Sequence, residues 1–159
     1  MDNDETKRKL MEIALKEAKK SYLKDEVPVG CVITRDNKVI SKAHNLVQSK
    51  KNITAHSEII ALNKAMKKLG KKYLDDCELY VSLEPCSMCA GAIVLSKIKK
   101  VYIATEDVKT GAAGGVFNIL NNSKLNHQCE IEFGILKEES SKLLKDFFHE
   151  LRLKKKNTI

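Results

Sequence analysis

Proline is nearly missing from this sequence. Pro28 and Pro85 are the only two in 159 residues, and no Gly-, Ser- or Pro-rich stretch marks a linker. There is also no internal repeat, which excludes a solenoid, and the length fits one ordinary domain. Residues 1–159 are therefore read as a single domain, with the last few residues as a flexible basic tail. No apolar run approaches the ~20 residues needed to cross a bilayer, so no membrane partner is expected. A secretory leader is absent as well: Met1-Asp2-Asn3-Asp4-Glu5 is acidic and polar, unlike a signal or transit peptide. Five cysteines, an odd number, do not suggest a disulfide framework. The expected home is the reducing cytoplasm, where thiols serve metals rather than bridges. The alternative is an organelle matrix reached with a leader since removed.

Charge of one sign is in excess. Lys and Arg total 29 against 21 Asp and Glu, a net +8. That balance favours a polyanionic partner, because each neutralised phosphate releases counterions. The same lysine content also follows from AT-rich coding, so charge alone does not decide for nucleic acid. Apolar residues at 43% and charged residues at 31% describe a globular chain, not a disordered one.

Periodicity orders the chain. Residues 5–23 place Leu10, Ile13, Ala14, Ala18 and Tyr22 at helical spacing. Residues 29–34 and 39–44 read as a hairpin turned at Asp36-Asn37. Thr54 is expected to cap a helix over about 56–69, ended by Gly70. Residues 78–83 form a buried strand, and Pro85 opens the next helix in its first turn. A strand at 99–104, a glycine-rich loop at 110–115, a short helical piece at 116–120 and a strand at 129–133 follow. A last helix runs over about 137–154, with Leu143, Leu144, Phe147 and Leu151 on one face. Strands alternating with helices predict a three-layer α/β/α fold around one sheet of about five strands.

Two short motifs carry chemistry. His56-Ser57-Glu58 precedes Pro85-Cys86-Ser87-Met88-Cys89. Together they offer one imidazole and two thiolates to a metal. Three protein ligands leave one position of a tetrahedral zinc open, which separates a catalytic zinc from a structural one. Cys86 and Cys89, three apart, share one face of their helix, and a helix N-terminus stabilises thiolates. Glu58 stands beside the metal as a proton shuttle for a zinc-activated water. The alternative is a structural zinc knuckle, with His56 an ordinary surface histidine. Such a knuckle needs a fourth ligand at matching spacing, and Cys31, Cys77, His127 and Cys129 are isolated in or near strand-like segments.

The HxE and PCxxC pair marks the cytidine deaminase-like superfamily, whose base deaminases act on a base taken out of its stack. The chain further resembles the bacterial tRNA-specific adenosine deaminases. The resemblance begins at Glu26-Val27-Pro28-Val29-Gly30, continues through Asn45 and Thr54-Ala55-His56-Ser57-Glu58, and is densest between Leu79 and Gly114. It resumes at Asn126-His127, Gly134-Ile135-Leu136 and Asp146-Phe147-Phe148. Asp107-Val108-Lys109-Thr110-Gly111-Ala112-Ala113-Gly114 and the Phe147-Phe148 pair are the stretches that look specific to the tRNA enzymes.

The resemblance implies a cytidine deaminase-like fold with a mixed sheet and one zinc ion per subunit held by His56, Cys86 and Cys89. It implies hydrolysis of adenosine to inosine at the wobble position of a tRNA, with Glu58 moving the protons. Asn45 would hydrogen-bond the target nucleotide, Val27 and Pro85 would form apolar walls, and the backbone of Leu83 and Glu84 would lie against the base. Asp107 and Lys109 would meet the flanking ribose and phosphates, Phe148 would stack on a neighbouring base, and Arg152 would meet phosphate. The implied partners are the tRNA anticodon stem-loop and a second copy of the chain. By themselves, Asn45 is a turn residue, Asp107 and Lys109 are loop charges, and Phe147 is core. Two departures stand out. Ser57 occupies a place where the family usually has alanine, and its hydroxyl needs a partner if buried. The last helix carries fewer arginines than the family pattern, with Arg152 and Lys154, Lys155 and Lys156 as the replacement for that phosphate contact. A guanine or other free-base deaminase is the alternative function, and a non-catalytic zinc protein that binds RNA is the third.

Overall fold

The computed structural model describes residues 3–157. Five helices and five strands follow in the order α1 (Asn3–Leu23), β1 (Gly30–Arg35), β2 (Lys38–His44), α2 (Val47–Lys50), α3 (Ser57–Leu69), β3 (Glu78–Leu83), α4 (Ser87–Leu95), β4 (Lys100–Thr105), β5 (Glu130–Phe133) and α5 (Lys137–Lys156). The sheet order is β2-β1-β3-β4-β5. β1 pairs antiparallel with β2 and β3, while β3–β4 and β4–β5 are parallel, so the sheet is mixed.

Both faces of the sheet are covered, and the two-residue period of a strand shows which side chain goes where. Cys31, Ile33, Leu79, Val81, Val101 and Ile103 enter the core shared with α3 and α4. Their neighbours Val32, Tyr80, Tyr102 and Ala104 enter the core shared with α1. α5 joins α1 on that side through Phe147, whose ring meets Tyr22 edge-on at 5.7 Å. The three layers are thus α1/α5, sheet and α3/α4. Gly30 lets the start of β1 reach α1, because a Cβ there would run into the Ala14 carbonyl and lie 2.6 Å from the Ala18 nitrogen. Asp36 and Asn37 take positive φ (52° and 63°), as a two-residue hairpin turn requires.

Three expectations are corrected. Thr54 does not cap α3: the N-cap is His56, and Thr54 instead bonds the Asn52 side chain through its amide (2.9 Å) and hydroxyl (2.7 Å). Pro85 does not sit in the first turn of α4, because the N-cap is Cys86 and the helix begins at Ser87. Residues 116–120 are not helical, since Asn118 pairs back on Ala113 in an antiparallel bridge. The basic run Lys154–Lys156 continues α5, with Lys154 paired to Asp25 at 2.9 Å. The end of the expected tail, residues 158–159, lies outside the described residues.

Candidate metal centre and active site

The starts of α3 and α4 supply the site. His56 and Cys86 are the two N-cap residues, both with extended backbone (φ −75°, ψ 150° and φ −72°, ψ 175°) and neither making a side-chain capping hydrogen bond. An N-cap is usually Ser, Thr, Asp or Asn, whose oxygen accepts from the first-turn amides. Placing His and Cys there gives up that cap and leaves the side chains available to a ligand. Cys89 lies in the first turn of α4, buried. His56 Nδ1 is 3.7 Å from Cys86 Sγ and 3.5 Å from Cys89 Sγ, and all three ligand atoms lie within 4.8 Å of one another. A nitrogen and a sulfur on a tetrahedral zinc are about 3.6 Å apart, given bond lengths near 2.0–2.1 and 2.3 Å. The spacing fits, and so does the soft donor set.

Electrostatics agrees. A hydrogen bond from Cys89 holds the Cys86 thiol down at about 4 against the cost of burial, with His56 adding to the effect. Cys89 is pushed far up by that same bond, then by burial and by the Glu58 carboxylate. A bound dication stabilises both sulfurs as thiolates.

Glu58, in the first turn of α3, is 4% exposed. Burial pushes its carboxyl above the usual range, while the Ser57 hydroxyl, its own amide and His56 pull it back. Ser57, fully buried, donates to Glu58 Oε1 at 2.7 Å, which is the partner its hydroxyl needs. Cys31 is fully buried with its thiol pushed up by burial and by the charge of Glu58. Cys77 and Cys129 are likewise core residues.

The substrate residues expected from the sequence fall into three groups. Asn45 and Val27 meet: the Asn45 amide donates to the Val27 carbonyl (3.2 Å), and its oxygen accepts from the Val47 amide (3.3 Å). Leu83, Glu84 and Pro85 lead from β3 into the metal-bearing Cys86. Leu83 is half-buried and Pro85 buried, while the Glu84 side chain, 2% exposed, turns to the Asp107–Gly115 loop rather than to open space. In that loop the Asp107 carboxylate accepts from the Lys109 amide (2.9 Å), the Thr110 amide (3.1 Å) and the Thr110 hydroxyl (2.7 Å), leaving Lys109 exposed. Phe148 and Arg152 are exposed on α5, which packs on the opposite face of the sheet from α3 and α4; two residues past Arg152, Lys154 pairs with Asp25 in the segment that leads to Val27. Phe148 lies edge-on to the buried Phe147 at 5.4 Å.

Known proteins match along the same lines. Residues 4–105 match the family described as the cytidine and deoxycytidylate deaminase zinc-binding region. The tRNA-specific adenosine deaminase of Aquifex aeolicus (strain VF5) is 49% identical over 146 residues, 92% of this chain and 96% of that protein. That of Bacillus subtilis (strain 168) is 45% identical over 146 residues, 92% of this chain and 91% of that protein. A chain solved in structural studies of A-to-I editing by tRNA:A34 deaminases at the wobble position superposes with a TM-score of 0.82 at 35% identity, covering 86% of this chain and 99% of that one. A guanine deaminase from Nitrosomonas europaea superposes with a TM-score of 0.76 at 22% identity, covering 88% of this chain and 83% of that one, a likeness of fold alone.

Proposed function

Because this chain belongs to the cytidine and deoxycytidylate deaminase family, and within it to the tRNA-specific adenosine deaminases, we propose that it hydrolyses adenosine to inosine at the wobble position of a tRNA. The observation that carries the chemistry is the convergence of His56, Cys86 and Cys89 at two helix starts, with buried Glu58 beside them. The choice of tRNA over a free base follows the relatives: the match to tRNA-specific adenosine deaminases spans nine-tenths of the chain, and guanine deaminase shares the fold.

His56, Cys86 and Cys89 would hold the zinc. Bound there, zinc acts as a Lewis acid that brings the pKa of a water down to about 7. Glu58 takes a proton from the attacking water and delivers it to the purine ring nitrogen as oxygen adds to C6. It then takes the remaining proton from the hydroxyl added at C6 and passes it to the amine, the C6–N bond breaks as C6=O forms, and water and adenosine become inosine and ammonia. Ser57 keeps one oxygen of Glu58 fixed beside the metal ligands. Asn45 and Val27, already joined by a hydrogen bond, form one side of the base pocket, with the backbone of Leu83 and Glu84 and the ring of Pro85 against the base. Asp107 and Lys109 meet the sugar and phosphates beside it, and the bases of the anticodon loop are read splayed out of their stack.

The tRNA spans two copies of the chain. Phe148 and Arg152, exposed on α5, serve a neighbouring base and phosphate. A homodimer is supported by the exposed apolar side chains Met88 and Leu95, seven residues apart on α4, and Val116 and Phe117 in the following loop. The reading makes the chain one deaminase domain acting in the cytoplasm; none of the described helices is long and apolar enough to cross a membrane.

The test is product analysis after incubating the purified zinc-loaded protein with a tRNA bearing adenosine at the wobble position, and separately with free guanine. Inosine in the tRNA is expected. Xanthine alone would make the chain a guanine deaminase, and no product from either would leave a zinc protein that binds RNA.

A further inference from the structure

Glu84 has more to do than line the base pocket with its backbone. Its side chain is buried and receives three backbone amides from one loop: Asp107 N on Oε1 (2.9 Å), and Ala113 N (2.8 Å) and Gly115 N (2.9 Å) on Oε2. The main chain around it repeats the connection. The Glu84 amide donates to the Thr105 carbonyl (2.9 Å), the Ala112 amide donates to the Pro85 carbonyl (2.8 Å), and Cys86 pairs with Gly111 in an antiparallel bridge.

Two glycines record how close the carboxylate lies. Gly111 and Gly115 do not take the positive φ that calls for glycine; Gly70, Gly114 and Gly134 do. What glycine provides at 111 and 115 is space. A Cβ on Gly111 would run into the Glu84 carboxyl carbon and the Asp107 carbonyl, and one on Gly115 would meet that carbonyl and lie 2.8 Å from Glu84 Oε1. The glycine-rich loop is therefore folded around the carboxylate of Glu84, two residues before a metal ligand.

We propose that Glu84 is a positioning residue: its carboxylate fixes the Asp107–Gly115 loop to the Glu84–Cys86 turn, holding the loop that meets the nucleotides beside the target adenosine in register with the metal centre. The inference rests on the tRNA reading above, and it concerns substrate placement rather than proton transfer. An isosteric amide breaks the arrangement, because glutamine has one acceptor oxygen, and its NH2 must face either the Asp107 amide or the Ala113 and Gly115 amides.

Zinc content, amide hydrogen exchange and steady-state kinetics on a wobble-adenosine tRNA are compared for the parent and Glu84→Gln. Zinc content is expected to be unchanged. Exchange at the Asp107, Ala113 and Gly115 amides is expected to quicken about tenfold or more. The Gln48 and Ser49 amides, held by Glu26 elsewhere, should exchange as in the parent. KM should rise about tenfold with kcat within about threefold, the pattern of lost substrate binding. Faster exchange with a parental KM would overturn the proposal, because the loop would then be loosened without consequence for the tRNA. Zinc loss matching the kinetic defect would also overturn it, making Glu84 a support of the metal helix. Should Glu84→Gln not fold, Gly115→Ala presses on the Asp107 carbonyl and on the intact Glu84 carboxylate, disturbing the same junction, and must raise KM in the same way; an unchanged KM there sinks the idea. A parent that makes no inosine removes the tRNA reading and this proposal together, whereas an active parent with parental kinetics in both variants removes this proposal alone.

Discussion

At the scale of the residue, the site joins ordinary groups by unusual placement. Glu58 is a glutamate at the start of a helix, and burial together with a neighbouring hydroxyl turns it into a group that can both take and return a proton. Glu58→Gln keeps an oxygen for the Ser57 hydroxyl and removes only the proton exchange. Deamination of a wobble-adenosine tRNA should fall about 10²–10⁴-fold with zinc content unchanged. Residual activity within about tenfold of the parent would show that another group moves the proton. The metal ligands were legible from spacing, since an HxE and a PCxxC have few other uses. The partner of Ser57 was foreseeable as a need and not as an identity: burial of position 57 demands an acceptor, and the fold decides that it is Glu58. The function of the Glu84 side chain was not legible. A single carboxylate has no spacing signature, and its three donors are backbone amides more than twenty residues away.

At the scale of the element, helix starts do most of the work. α3 and α4 both begin at the metal centre, with His56 and Cys86 standing where capping side chains usually do. α2 is the opposite case. This four-residue helix is capped from a distance by Glu26, which accepts from the Gln48 amide (2.9 Å), the Ser49 amide (2.6 Å) and the Ser49 hydroxyl (2.6 Å). Burial raises the Glu26 carboxyl, and the Ser49 hydroxyl with the two amides more than reverses this, so it titrates below the usual carboxylate range. A carboxyl with a lowered folded pKa adds stability that is fully present above its unfolded value, about 4.3 for glutamate. That stability is lost as pH falls through the folded value. Urea unfolding should therefore find Glu26→Gln less stable than the parent by about 1–3 kcal/mol at neutral pH. The gap should narrow below about pH 4. Metal release in acid affects both proteins alike, so the difference between them isolates Glu26. A gap that does not change with pH would mean that the cap is neutral. The sequence missed α2 because four residues carry no periodicity, and Glu26 lies too far along the chain for a capping box. It placed a helix at 116–120 because apolar spacing cannot distinguish a short helix from the bridged turn formed by Ala113 and Asn118.

At the scale of the molecule, the net charge of +8 sets the long-range approach to RNA. Lys154 is tied to Asp25, and the helix carries Lys155 and Lys156 one and two residues further on. Changing Lys155 and Lys156 to Gln should weaken tRNA binding about evenly across tRNA sequences. It should also flatten the plot of log K against log salt by about 0.7–0.9 for each phosphate no longer neutralised. An unchanged slope, measured by titration at several salt concentrations, would make the end of α5 a structural helix terminus and no more. By itself the sequence determined the donor set, the alternation of strands and helices and the zinc chemistry, because these depend on residue type and local spacing. The tertiary structure alone decided that α1 and α5 share one face of the sheet, with Phe147 packed on Tyr22 and Phe148 left exposed. It also decided that the glycine loop closes around Glu84. Both depend on which amides and faces meet across the sheet, and no local pattern encodes the meeting of segments that come together only when the chain is folded.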